Sequence, residues 1–179
     1  MKYSRLFRIL MWLLFIFGGA ALAYTLDLRL FGRLYVWTPY HLLSAMTGFL
    51  LFQMLRRIAR HTGRYLHDFG REGTLPRLET NRLVTTGYYA LMRHPMHQGL
   101  MLGPFVFALL AGSPSFLFIV APLEVLIIIL LIIFYEEKEA LKKFGDEYRA
   151  YMNRTPRFCF RPACWKALLT PPDEYLPKK

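Results

Sequence analysis

Four long runs with almost no charge, separated by polar blocks, organise the chain. An α-helix needs about 20 predominantly apolar residues to cross the hydrocarbon core of a bilayer, and each run approaches that length. The first extends from Ile9 to Leu26 and is uncharged. The second, Leu34 to Leu55, contains Pro39 and His41 but no formal charge. The third opens at Pro95 and ends near Gly112, and the fourth runs from Pro114 to Tyr135 around a single acid, Glu124. Only Gly112-Ser113-Pro114-Ser115 joins these last two, a connection short enough to force an antiparallel helical hairpin. Past Tyr135 the period changes. Leu141, Phe144, Tyr148 and Tyr151 recur at spacings of three and four, which marks an amphipathic C-terminal helix with an apolar face able to fold back as a lid. The expected architecture is an all-α polytopic membrane protein with four transmembrane helices, forming a single membrane domain over residues 1–179.

Composition agrees with that pattern. Hydrophobic residues make up 55% of the chain, aromatic residues 16%, and the mean hydropathy is +0.27. These values exclude a disordered chain and do not suit a soluble domain of this size. The formal charge of +11 arises from 23 Lys+Arg against 12 Asp+Glu. The basic residues are grouped between the apolar runs, as topology signals are, so no nucleic-acid partner is expected. Lys2, Arg5 and Arg8 precede the first run, and a basic block from Arg56 to Arg93 separates the second from the third. The positive-inside rule assigns both, and the tail after Tyr135, to the cytoplasm of a cell-membrane protein. Ala21-Leu22-Ala23 resembles a signal-peptide cleavage site, but the run before it is longer than such a segment requires, and a retained first span is expected.

Within the basic block, Arg56, Arg60 and Arg64 share one helical face that should meet lipid headgroups, and Gly70, Gly73 and Pro76 should end that helix. Cys159 and Cys164 form neither a CxxC pair nor part of a Cys/His ligand pattern, so two reduced thiols are expected, without a disulfide or a metal site.

The chemistry concentrates in Leu83-Val84-Thr85-Thr86-Gly87-Tyr88-Tyr89 and Arg93-His94-Pro95-Met96-His97-Gln98-Gly99. Pro95 suits the first position of a helix, where its missing N–H costs nothing, and a helix N-terminus beside Arg93 attracts anions. A hairpin would return Glu136 and Glu137 to the level of Arg93, His94 and His97. Such a pocket suits a ligand offering a carboxylate to Arg93 and an amine or hydroxyls to the glutamates, and S-adenosylmethionine offers all of these. The plainer explanation is that Arg93 and Lys138 snorkel, His94 hydrogen-bonds locally, and the glutamates pair with basic neighbours. Glu124, about 18 Å along the helix from Glu136, is expected to be a protonated structural acid bonded to a neighbouring helix, with a lipid-facing substrate tunnel as the other reading.

Leu-Val-x-x-Gly-x-Tyr, Arg-His-Pro-x-x-x-Gly, Glu-Glu-x-x-Leu-x-x-x-Phe-Gly-x-x-Tyr-x-x-Tyr and a final Pro-Arg-Phe occur here as Leu83–Tyr89, Arg93–Gly99, Glu136–Tyr151 and Pro156–Phe158. In this order the blocks resemble the isoprenylcysteine carboxyl methyltransferase family and its bacterial phospholipid- and thiol-methyltransferase relatives. The resemblance implies a helical membrane fold without a Rossmann domain and a cofactor-binding catalytic core over residues 83–158. It implies S-adenosyl-L-methionine as cofactor, held by Arg93, His94, Glu136, Glu137 and Tyr148, with Tyr88, Gly99 and Tyr151 in support. Two positions depart from the family's usual pattern: His97 stands where Tyr is usual, and Tyr88 where Pro is common.

Methyl transfer from a sulfonium is an in-line displacement, so alignment and water exclusion are the main tasks. An amine or thiol acceptor must also lose a proton, for which His97 or His94 is the candidate base beside Arg93. The acceptor class stays open among lipidic and small thiol, carboxylate or amine compounds. The rival readings are a sterol-reductase-like enzyme using NADPH and a non-catalytic membrane protein that kept the fold.

Overall fold

The computed structural model describes residues 2–74 and 80–172. Pro76, Arg77 and the side chains of Lys2, Arg5 and Arg8 lie outside that description. Among the described residues the protein is helical, with no strand. Helix α1 covers Lys2–Leu30, α2 Gly32–Tyr35, α3 Thr38–Phe69, α4 Tyr88–Leu91, α5 Pro95–Leu100 and α6 Leu102–Ala111. A π-helical turn, Phe116–Val120, leads into α7, Ala121–Leu131, and a second, Ile132–Glu136, leads into α8, Glu137–Arg154. Helix α9 is Pro162–Leu169.

Among the described residues three helical stretches are long and apolar enough to cross a membrane: Leu13–Leu30, Thr38–Phe69 and Phe116–Arg154. The expected third run is shorter and broken. Pro104 lacks the N–H that would continue the helical ladder, and the helix is interrupted at Met101 between α5 and α6. Pro122 has the same deficiency, and the helix widens into the π turn immediately before it.

The contacts divide the chain into two units, Met1–Phe52 with Met101–Leu130, and Gln53–Leu100 with Leu131–Lys179. In the first, small residues on α1 let helices approach closely, as is usual where lipid removes the hydrophobic drive to associate. Ala23 packs with Ala108, Phe116, Val120 and Ala121, and a Cβ on Gly19 would stand 2.8 Å from Val120 Cγ1. Ser44 on α3 donates to the Leu109 carbonyl at 2.7 Å. Buried Asp27 accepts from the Ser115 N–H at 2.7 Å and from the Ser113 hydroxyl at 2.5 Å, while Ser113 Oγ accepts from the Phe116 N–H at 3.1 Å. The free donors at the start of that helix are thus capped from two places. Glu124 is buried as expected of a structural acid, but its Oε1 has no hydrogen-bond partner among the described residues. The expected bond to a neighbouring helix is therefore not found for that oxygen: the space beside Oε1 is given by Gly19, which has no side chain to offer one.

The second unit is built on the C-terminal half of α3. Ile58, Thr62 and Tyr65 are buried on it. Tyr65 stacks on Phe69 at 4.5 Å and meets Tyr88 edge-on at 5.5 Å, and its hydroxyl hydrogen-bonds Thr86 Oγ1 at 2.8 Å. Helix α3 ends at Phe69, immediately before Gly70, as the sequence predicts. The amphipathic C-terminal segment is the continuation of the fourth run rather than a separate helix. It turns within α8 at Gly145, whose φ of 53° favours glycine, and Tyr148 and Tyr151 beyond the turn are buried.

One expectation is corrected outright. Cys159 and Cys164 form a disulfide, with Cα atoms 6.0 Å apart. The spacing of five residues is closed because Arg161 is extended and Pro162 then starts α9, which brings Cys164 within reach of Cys159.

Candidate active site

Two irregular segments in the second unit build the site. The Arg93 N–H donates to the Pro156 carbonyl at 2.9 Å and the His94 N–H to the Arg157 carbonyl at 3.2 Å. Two sequence blocks some sixty positions apart thereby lie side by side. Pro95 then opens α5, and one turn on, the Gln98 side-chain amide grips the next stretch of chain: its Oε1 accepts from the Cys159 N–H at 2.9 Å and its Nε2 donates to the Cys159 carbonyl at 2.7 Å. Gly99 follows because α3 runs against α5 here, and a Cβ would come within 2.5 Å of Ile58 Cγ2.

Glu137 is the centre of this arrangement. It comes directly after the π turn Ile132–Glu136, which shifts the register of the side chains that follow. Its carboxylate accepts from Arg93 Nε at 3.0 Å and Nη2 at 2.8 Å, from Arg157 Nε at 3.1 Å and Nη2 at 2.8 Å, and from His94 Nε2 at 3.2 Å. Arg93 Nη1 further donates to the carbonyls of Met152 and Thr155 at 2.9 and 2.8 Å. With 7% of the Arg93 side chain and 4% of the Glu137 side chain exposed, this pair is a buried clamp on the end of α8. Burial lowers the His94 pKa from its ordinary value, outweighing the opposite pull of its bond to Glu137. A proton on His94 Nε2 would point toward the Glu137 carboxylate. The bond from Glu137 raises the pKa of Arg157.

The accessible groups form a rim around that clamp. His97 Nε2 lies 3.2 Å from Glu136 Oε2, with 24% and 30% of the two side chains exposed, and Arg157 is 34% exposed. The Phe158 ring lies 6.1 Å from that of His94 and 6.3 Å from that of Phe160. His94, His97 and Glu136 also bring ligating atoms within 4.8 Å of one another, close enough to hold a metal ion. The sequence carries no metal motif for this set, because Glu136 belongs to a separate helix from the histidines.

Of the residues expected from sequence, Arg93, His94, His97, Glu136 and Glu137 are brought together. Tyr148 is buried beside Tyr151, their ring centroids 5.9 Å apart. Tyr151 and Tyr88 are buried supports: the first donates its hydroxyl to the Tyr89 carbonyl at 2.5 Å, the second to the Thr170 carbonyl at 2.6 Å. Sequence reasoning noticed Arg157 only as part of a motif and passed over Gln98. The alternation of basic and aromatic residues in Pro156-Arg157-Phe158 was the available signal for Arg157, and nothing in the local pattern marks Gln98.

A family model described as phospholipid methyltransferase matches residues 37–147, more than half of the chain. The chain belongs to this family, within the isoprenylcysteine carboxyl methyltransferase-like group, and its apolar helices and membership together make it a membrane methyltransferase. No curated protein and no solved structure matches it.

Proposed function

We propose that the protein transfers a methyl group from S-adenosylmethionine to a lipidic acceptor at the cytoplasmic face of the cell membrane. The observation that carries this reading is the rim built around Glu137 in a chain of methyltransferase family membership. Its donor set suits the cofactor: Arg157 for the carboxylate, Glu136 for the ammonium, and the Phe158 and Phe160 rings as an apolar wall for the adenine. Arg93 is less suited to touch the ligand than its motif suggests, because four of its N–H bonds already go to Glu137, Met152 and Thr155. Its task in this reading is to fix Glu137 and the end of α8, so that Arg157 and His94 hold their positions.

When bound, the cofactor supplies an electrophilic methyl group on a positively charged sulfur. The protein's own residues then align the acceptor and exclude water. The family's description speaks of a phospholipid, and where its headgroup offers an amine, the ammonium must lose a proton before its nitrogen can attack. His97, oriented by Glu136 at 3.2 Å, is the base for that proton. A carboxylate at the rim disfavours the anionic pyrophosphate of NADPH. In topology the reading takes four spans, the third being α5 and α6 together. Their 17 residues, Pro95–Ala111, extend about 26 Å at the helical rise and form a hairpin with α7.

Titration of the detergent-purified protein with S-adenosylhomocysteine and with NADPH tests the cofactor. Transfer of label from methyl-labelled S-adenosylmethionine into a lipid extract tests the reaction. Binding of NADPH alone, or labelling confined to water-soluble thiols, would overturn the reading.

A further inference from the structure

A second concave site in the same unit is used by nothing described so far. Arg56, Arg57, Arg60 and His61 of α3, with Leu169 and Pro171 at and beyond the end of α9, line an open cavity of about 320 Å³. At 100° per residue the four α3 side chains fall within one sector of the helix, so three guanidinium groups converge on a single concavity. Among the described residues no carboxylate lines it. Arg56 donates to Gln53 Oε1 at 2.9 and 3.2 Å, whereas Arg57 and Arg60 have no ion-pair partner among the described residues. The opposite wall is held in place: His61 Nδ1 hydrogen-bonds the Leu168 carbonyl at 3.2 Å, and Tyr88 ties down Thr170. A diffuse basic helix end, facing headgroups in general, needs neither that wall nor a cavity.

We infer that this cavity is a phosphate-binding site, and that its ligand is the phosphodiester of a phospholipid headgroup. Guanidinium forks match phosphate oxygens in geometry, and two or three around one concavity bind a phosphate far better than isolated surface charges. Helix α3 is apolar up to Leu55, one residue before Arg56, so the cavity begins where a headgroup lies. The cavity and the proposed catalytic rim share one helix contact. Ile58, the neighbour of Arg57, is the residue against which Gly99 of α5 packs, and α5 carries His97. Resting on the proposed function, the inference makes the cavity the grip on the acceptor's phosphate, leaving the headgroup amine free to reach His97.

The test compares Arg57→Gln, Arg60→Gln and Arg64→Gln in detergent. All three remove one exposed arginine from α3, but Arg64 does not line the cavity. The probes are dihexanoyl phosphatidylethanolamine, dihexanoylglycerol and inorganic phosphate, followed by calorimetry, with S-adenosylhomocysteine affinity as the check that each variant is folded. Arg57→Gln and Arg60→Gln are expected to weaken phosphatidylethanolamine binding about three- to tenfold each, the scale of a charge-assisted hydrogen bond discounted for exposure. Arg64→Gln should match the wild type, and dihexanoylglycerol should not distinguish the proteins. Failure of tenfold excess inorganic phosphate to displace the lipid assigns the site to a headgroup, and displacement at equal concentration overturns that assignment in favour of the free anion. Equal weakening by Arg64→Gln, or no weakening by the other two, overturns the site. If the wild type methylates no phospholipid while the arginine dependence of lipid binding persists, the proposed reaction fails and the phosphate site stands.

Discussion

Glu136 and Glu137 are adjacent in the chain and equal in charge, yet the structure gives them different work, and replacing each with Gln separates the two roles. Glu137→Gln keeps the shape of the side chain and removes the charge that faces Arg93 and Arg157. Arg93 is almost completely buried, and leaving such a charge without its partner costs about 3–5 kcal/mol. Arg157 is a third exposed, so water takes over most of what it loses and its share is below about 1 kcal/mol. Arg93 retains the Met152 and Thr155 carbonyls, which places the expected total near the lower end, about 3–4 kcal/mol. At about 2–4 °C per kcal/mol for a chain of this length, the unfolding midpoint should fall by roughly 6–16 °C. Glu136→Gln removes a charge at the half-open rim and should cost less than about 1 kcal/mol.

Ligand binding should show the reverse order among proteins that remain folded. Glu136→Gln should weaken S-adenosylhomocysteine by about 1–3 kcal/mol, the cost of losing a hydrogen bond to its amine, while Glu137→Gln measured well below its melting point should lose less. Thermal unfolding followed by tryptophan fluorescence in detergent, paired with calorimetric titration, reads both quantities. Midpoints agreeing within 2 °C would refute the clamp. An unchanged affinity in Glu136→Gln would remove that residue from the cofactor's contacts.

Gly99→Ala should destabilise by about 1–3 kcal/mol despite alanine's better helix propensity, because the new methyl falls 2.5 Å from Ile58 Cγ2. Combining it with Ile58→Ala should cost less than the two single changes added, as read from chemical unfolding. His94 has a lowered pKa in the folded protein, so between that value and the ordinary 6.5 the unfolded chain binds the extra proton. Stability should therefore decline as pH falls below about 6.5, and His94→Gln should flatten that decline in melting curves taken across the range. Ser113 is buried against Asp27, so a membrane-impermeant thiol label for the third-to-fourth connection belongs on exposed Ala111→Cys, with exposed Glu72→Cys as its cytoplasmic counterpart. The paired Cys159 and Cys164 leave no background, the label should reach position 111 only from outside, and labelling of 111 from inside alone would sink the four-span arrangement.

What could be read from the sequence and what could not divide along a physical line. Pro95 as a helix start, Gly70 as a helix stop and the approach of Glu136 and Glu137 to Arg93, His94 and His97 all follow from helical period and from proline and glycine, which act on the backbone locally. The partners of Gln98 and Asp27 belong to segments about sixty to ninety positions away. Their hydrogen bonds are satisfied by particular backbone atoms of irregular chain, which no periodicity specifies. The disulfide escaped for a related reason, since a spacing of five between cysteines closes only if the chain between them is extended and then turned by Pro162. Hence the charges of the site were legible while their division of labour was not. From the sequence Arg93 stands among the ligand contacts together with His94, Glu136, Glu137 and Tyr148. Burial divides the two arginines: Arg93, with most of its donors committed, holds Glu137 and the end of α8, while Arg157 keeps a third of its side chain exposed. One buried carboxylate, that of Glu137, thus ties together its own helix and the segments that carry Arg93, His94 and Arg157.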